Sequence, residues 1–223
     1  MALALDTYDS CIAHIDEHLG RLYDELARRG VLERTWVIIA SDHGESFGEH
    51  EGVYVHGSSL YRTELHVPLV VVPPPGIRIK PVVAETASLR DMAATMVDIA
   101  GWGTECTFQG ESLARLWRPS SDLRGPEGRG GRAMAELIPN ETLIPGVAGP
   151  PRRPGPLASL TEDGWSYIRR EGDAREELYH VQADPGEKDN VAAASGSRPR
   201  LERMRDALSR LTLGPLTHER FNP

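Results

Sequence analysis

Asp42, His43, His50 and His56 lie in one short stretch and have the residue types needed to bind a metal or move a proton. Asp42 offers a hard carboxylate oxygen and His43 a ring nitrogen. Calcium prefers all-oxygen shells, whereas imidazole suits manganese, zinc or iron, so the adjacent pair leaves metal identity open. Imidazole titrates near about 6.5, which lets a histidine such as His56 give or take a proton near neutrality. Glu45, by its position, is a supporting or solvated carboxylate. A plain turn is the competing reading of Asp42-His43-Gly44, because Asp and Gly are common in turns.

These residues need elements to hold them. Trp36-Val37-Ile38-Ile39-Ala40 reads as a buried strand ending at Asp42, and Leu69 to Val72 as a second, stopped by Pro73-Pro74-Pro75-Gly76. Ligands in open α/β sheets bind at such carboxyl ends. Between the strands runs a long loop, in which Gly48, Gly52 and Gly57 serve as hinges that let His56 fold back toward Asp42 and His43. Upstream, Ile12, Ile15, Leu19, Leu22 and Leu26 recur at helical spacing, with Asp6 or Thr7 as the cap and Arg28-Arg29-Gly30 as the end. His14 and His18 on this helix are read as solvated or half-buried. Val82 to Ala84 reads as a further short strand, and Ser88 with Asp91 as a capping box for a helix that Gly101 closes. His66 is read as the start of the second strand. The alternation is that of an α/β sandwich.

The order of motifs resembles the second half of a sulfatase, within the alkaline phosphatase superfamily. Ser41-Asp42-His43-Gly44 resembles the family's strand end. Gly48-Glu49-His50, His56-Gly57, Leu60-Tyr61 and Val67-Pro68-Leu69 follow as they do in the family. Tyr8-Asp9, Asp16 and Gly20-Arg21-Leu22 resemble the preceding helix. Ser88 to Gly101 resembles the next one, with Ala94 where Pro is usual, and Gly110-Glu111-Ser112-Leu113 comes after it. Glu177-Leu178-Tyr179, Asp184-Pro185-Gly186-Glu187 and Asn190-Val191-Ala192 are similar to the family's C-terminal signature.

The resemblance implies an alkaline-phosphatase-like α/β sandwich with a small C-terminal subdomain of antiparallel sheet plus helix. It implies Asp42 and His43 as metal ligands, with calcium the family's metal. It also implies His56 at the residue that contacts the ester oxyanion and protonates the leaving group, and His50 as a further substrate contact. The family's nucleophile, a Cys or Ser in a Cys-X-Pro-X-Arg or Ser-X-Pro-X-Arg segment that becomes formylglycine, has no match. Cys11 and Cys106 are followed by Ile-Ala-His and Thr-Phe-Gln.

The reading by segments is residues 1–118 as the C-terminal part of the α/β core, 119–156 as a Gly/Pro/Arg-rich linker or loop, and 157–223 as the small subdomain. Within the linker, Ala133 to Ile138 reads as one strand. In the subdomain, Gly164 to Arg170 and Glu177 to Val181 read as paired strands with Gly172-Asp173 near their turn. Leu201, Met204, Leu208 and Leu211 mark a terminal amphipathic helix.

Composition bounds the partners. The 223 residues are 39% hydrophobic and 26% charged, enough for a sizeable core, and a formal net charge of -8 argues against nucleic acid and anionic membranes. No apolar run approaches the roughly 20 residues of a spanning helix, and Met-Ala-Leu-Ala-Leu has no basic start of a signal peptide, so the expected location is cytoplasmic. Two cysteines are too few for a disulfide framework and are read as buried or spare thiols.

The functional expectation is the C-terminal portion of a metal-dependent sulfatase acting on a small-molecule sulfate ester. Its missing N-terminal half, or another chain, is the expected partner. A phosphodiesterase or phosphonate monoester hydrolase of the same superfamily, or a non-catalytic binding remnant, is the alternative. The strand from Trp36 to Ala40 is expected to be central, with a parallel neighbour supplied from outside. Its exposed edge and apolar face then imply poor solubility or oligomers in isolation.

Overall fold

Helix formation begins at the second residue. The computed structural model describes residues 2–50, 52–102, 108, 110–118, 131–138 and 155–212. Helix α1 runs Ala2–Arg28, four residues ahead of the expected caps Asp6 and Thr7, because Ala2-Leu3-Ala4-Leu5 are strong helix formers. It ends where expected, with Gly30 at positive φ. His14 and His18 lie on it, exposed, with ring centroids 4.2 Å apart.

The chain divides into two compact units, the first of residues 1–42 and 67–81, the second of residues 43–66 and 82–223. In the first, β1 (Val37–Ala40) pairs with β2 (Leu69–Val72) antiparallel, Val37 opposite Val72 and Ala40 opposite Leu69. No parallel neighbour of β1 is found among the described residues. The reading of both strands as buried is corrected: Ile39 is 37% exposed and Val70 48%. The apolar stripe of α1 is also uncovered, with Ile12, Ile15 and Leu22 each at least half exposed. Cys11 is a free, exposed thiol on this helix, while Cys106 lies outside the described residues.

The second unit holds the packed core. Four strands, β3 (Arg132–Leu137), β4 (Leu157–Glu162), β5 (Trp165–Arg170) and β6 (Glu176–His180), form an antiparallel sheet in sequence order. Asp163-Gly164, both at positive φ, make the tight turn from β4 to β5. Alternation sends Ala158, Leu160, Tyr167 and Leu178 to one face and Leu157, Ile168 and Tyr179 to the other. Helix α4 (Arg198–Leu211) covers the first face with Leu201, Met204 and Leu208. Leu60 and half-buried Tyr61 cover the second. The loop that carries the candidate site is therefore anchored on the sheet.

Two short helices complete this unit. Helix α2 (Arg62–Leu65) stands where His66 was read as beginning a strand; His66 caps its C-terminus. Burial, helped by the Arg62 charge, lowers the pKa of His66. Ser88 accepts from the Arg90 amide and starts a 3-10 turn that leads into α3 (Met92–Ile99), and Gly101 follows at positive φ. Asp91 does not complete a capping box but accepts from the Glu111 amide. Val82 to Ala84 form no strand. Pro81 withholds an amide there, and the segment pairs with no ladder.

Candidate functional site

Antiparallel register brings the site loop together. Phe47 and Tyr54 form a bridge, and the Val55 amide donates to the Ser46 carbonyl at 2.8 Å. The next pair outward in that register is Glu45 and His56, and there His56 Nδ1 lies 3.0 Å from Glu45 Oε2. Gly48, Gly52 and Gly57 all take positive φ, as expected of the hinges that fold the loop. Val55 does so as well, at φ 59°, a costly conformation for a β-branched residue immediately before His56. Such strain, about 1–3 kcal/mol, persists only where surrounding structure enforces it.

The His43 and His56 rings lie against each other at a tilt, centroids 4.1 Å apart and planes 31° apart. His43 Nδ1 is 2.8 Å from the Gly44 carbonyl. A carbonyl only accepts, so Nδ1 carries the proton and Nε2 is the nitrogen suited to a metal. Asp42 follows β1 and closes the first unit, with the Ser41 hydroxyl 3.4 Å from its carboxylate.

His50 goes elsewhere. Its ring stacks on Tyr61, centroids 3.5 Å apart and nearly parallel. It lines a cavity of about 620 Å³ whose walls include Tyr61, Arg175, Glu177 and Lys188 but neither His43 nor His56. Burial first, then the Lys188 charge, lowers the His50 pKa, so this ring is neutral near pH 7. Tyr61 and Tyr179 both donate to Glu177 Oε2, at 2.8 and 2.5 Å, and burial beside that carboxylate raises both phenol pKa values. Packing on Tyr61 is thus the work of His50 and not of His56.

Two carboxylates matter here: Glu45, which the sequence left between supporting and solvated, and Glu64, which it did not mark. Glu45 is the ring partner of His56. Glu64, on α2 and 4% exposed, accepts from the Gly57 amide at 2.7 Å, the Ser58 amide at 3.3 Å and the Ser59 hydroxyl at 2.5 Å. Its own carbonyl accepts from the Gly44 amide at 2.7 Å. A carboxylate in the middle of a four-residue helix carries no sequence mark of burial. For Glu45, the pairing of Phe47 with Tyr54 was the available signal. The C-terminal signature is structural: Glu187 accepts from the Arg62 amide at 2.7 Å, and Asn190 bonds both the Leu178 amide and the Glu176 carbonyl along the β6 edge.

No group of three or more His, Cys, Asp or Glu side chains gathers as a metal cage among the described residues. Asp42 supplies a carboxylate, and His43 an imidazole whose Nδ1 lies on the Gly44 carbonyl, donor types compatible with a divalent metal.

Residues 3–102 match the family model described as Sulfatase. Arylsulfatase K of Homo sapiens is 32% identical over 187 residues, which span 83% of this chain and 33% of that protein. Arylsulfatase K of Bos taurus is 31% identical over 196 residues with the same shares. Choline-sulfatase of Rhizobium meliloti is 28% identical over 188 residues, 83% of this chain and 32% of that one. Among solved structures, the phosphonate monoester hydrolase of Agrobacterium radiobacter aligns with a TM-score of 0.67 at 24% identity, covering 90% of this chain and 39% of that one. A protein solved with its substrate, D-glucosamine-2-N,6-O-disulfate, aligns at 0.63 and 24%, covering 88% and 38%.

Helices, a two-stranded ladder and the small antiparallel sheet with its terminal helix align with alkaline-phosphatase-like α/β structures. The matches in sequence are more specific than the fold. The chain belongs to the sulfatase family, and it spans about a third of the length of the curated relatives it matches. No helix among the described residues is long and apolar enough to cross a membrane.

Proposed function

We propose that these residues form the C-terminal portion of a metal-dependent sulfatase, a sulfuric ester hydrolase, with the nucleophile supplied by a segment outside them. The observation that carries this reading is the close approach of the His43 and His56 rings, the latter ordered by Glu45. Asp42 and His43 would hold a divalent cation, calcium by family resemblance, which when bound supplies charge screening for the ester. His56 serves as the acid in its doubly protonated form: Nδ1–H is held by Glu45, and Nε2–H passes its proton to the leaving oxygen. His50, stacked on Tyr61, forms a wall of the neighbouring cavity and meets the substrate's organic group there. The sequence has no Cys-X-Pro-X-Arg or Ser-X-Pro-X-Arg segment to carry formylglycine. The uncovered stripe of α1 supports a further body of protein packing on this chain.

The test is turnover of an aryl sulfate and an aryl phosphate diester, with calcium or manganese, by the chain alone and co-expressed with the remaining part of the human relative. The chain alone is expected to stay at background. The pair is expected to hydrolyse the sulfate, with a drop of about 10²-fold or more in His56→Ala. Robust turnover by the chain alone overturns the division of labour. Turnover by the pair that ignores His56→Ala overturns the site. Preference for the phosphate diester would instead make the enzyme a phosphodiesterase or phosphonate monoester hydrolase of the same superfamily.

A further inference from the structure

A ring that passes a proton to a substrate is useful only if the correct nitrogen faces that substrate and the ring stays in place. Neutral imidazole has one N–H and one lone pair, and nothing intrinsic to the ring guarantees which nitrogen holds which. At His56 the neighbour decides. A carboxylate accepts and does not donate, so the 3.0 Å approach of Nδ1 to Glu45 Oε2 places the proton on Nδ1. Nε2 is then the nitrogen that takes up a second proton and passes it to a leaving oxygen, which returns the ring to its Nδ1–H form. Glu45 is itself held in place by the loop register, since it stands opposite His56 beyond the Ser46–Val55 bond and the Phe47–Tyr54 bridge.

The backbone of His56 is fixed from a second side. Glu64 is buried, and a buried carboxylate is costly unless its oxygens are satisfied. It is satisfied by the two amides that directly follow His56, those of Gly57 and Ser58, and by the Ser59 hydroxyl. The same residue's carbonyl receives the Gly44 amide, between His43 and Glu45. One residue thus ties the segment bearing His43 and Glu45 to the segment bearing His56. The approach is so close at Gly44 that a Cβ there would sit 2.1 Å from the Thr63 carbonyl oxygen. Val55, at positive φ, shows that the chain is forced into its path just before His56.

We propose that Glu45 and Glu64 are positioning residues for His56, Glu45 setting its tautomer through the ring and Glu64 setting its place through the backbone. This rests on the reading of His56 as proton donor, but its test does not depend on turnover. Magic-angle-spinning NMR of the sedimented, ¹⁵N-histidine-labelled full chain reads ring tautomers directly, whatever the oligomeric state. The His56 signals are assigned by their loss in His56→Gln, and spectra are taken well above the ordinary imidazole pKa so that rings are neutral.

The wild-type chain is expected to show Nδ1–H at His56 and a through-space cross-peak between the His43 and His56 rings. In Glu45→Ala the Nε2–H form becomes the majority, and Glu45→Gln, which keeps an acceptor oxygen, restores Nδ1–H. In Glu64→Ala, or in Glu64→Gln where the alanine variant does not fold, the His43–His56 cross-peak is lost while the β-sheet signals remain. An unchanged tautomer in Glu45→Ala overturns the role of Glu45, and a retained cross-peak in a folded Glu64 variant overturns that of Glu64. Tautomer control by Glu45 together with co-expressed turnover indifferent to His56→Ala upholds the positioning role and sinks only the catalytic reading.

Discussion

Helices α1 and α4 carry nearly the same pattern and meet opposite fates. Each spaces apolar residues by three and four: Ile12, Ile15, Leu19 and Leu22 in the first, Leu201, Met204 and Leu208 in the second. On α1 these side chains are 38% to 56% exposed, and on α4 they are 9% exposed or less. The difference lies in what faces them. Helix α4 meets a sheet face of Ala158, Leu160, Tyr167 and Leu178, whereas the stripe on α1 meets no packed face of the described residues. Helical periodicity specifies a face that needs cover. Whether cover exists depends on the rest of the fold.

The sharpest way to break this comparison is to delete side-chain volume from both helices and from the sheet face beneath α4. Leu160 and Met204 are fully buried, so Leu160→Ala or Met204→Ala should each cost about 2–5 kcal/mol through lost transfer energy and a cavity. Ile15 is 56% exposed, and Ile15→Ala should cost about 0.5 kcal/mol or less. Urea unfolding followed by far-UV circular dichroism separates the two outcomes. Equal losses at Met204 and Ile15 would mean that the stripe of α1 is covered in solution.

The legible parts of the fold were those that local chemistry decides. The span of β2, that of β1 to within one residue, the presence of α4, the pairing of β5 with β6 and the glycine ends of α1 and α3 follow from periodicity and backbone freedom. Strand β4 was missed because Leu157-Ala158-Ser159-Leu160 follows a Gly/Pro-rich stretch and shows no clean alternation. Its central place in the sheet explains this, since both faces of β4 are buried. At the site, the approach of His56 to His43 was legible through the glycine hinges. The role of Glu64 was not, and that of Glu45 was left between supporting and solvated, because charge by itself does not tell a solvated side chain from a buried anchor. Exposure of β1 and β2 was misjudged because an apolar run states a need for cover, not its presence.

Gly44 tests whether the loop is as tightly seated as the sheet. A methyl group there would meet the Thr63 carbonyl oxygen at 2.1 Å, a backbone atom that cannot rotate away. Gly44→Ala should therefore cost about 1–3 kcal/mol as overpacking, and lengthen the Gly44–Glu64 bond. The slowed hydrogen exchange expected of the Gly57 and Ser58 amides should fall in the variant while that of β4 and β5 persists. A fully tolerated Gly44→Ala would show that α2 and the site loop shift freely past each other.

The smallest expected effect concerns how α4 is fastened. Arg205 on α4 donates to both oxygens of Glu176 at the start of β6, at 2.8 and 2.5 Å, and the Tyr167 hydroxyl also donates to Glu176. On α1 the corresponding pairs, Arg21 with Glu17 and Arg28 with Glu25, lie within the helix and join it to nothing else. The Arg205 bonds, first among the causes, hold the Glu176 carboxyl below its ordinary value against the opposing effect of burial. A carboxyl depressed on folding contributes stability that is present above its unfolded pKa of about 4.3 and is lost as pH falls through the folded value. Arg205→Met should thus cost about 1 kcal/mol near neutral pH, with the gap to wild type closing as pH falls below about 4. Glu187 runs the other way, because burial raises its pKa, but it is present in both proteins and leaves the difference between them unchanged. Arg28→Met should produce no measurable shift at any pH. Thermal melts of the three proteins across the acid range decide the matter, and a gap for Arg205→Met that stays constant to low pH would place its effect in packing and not in the ion pair.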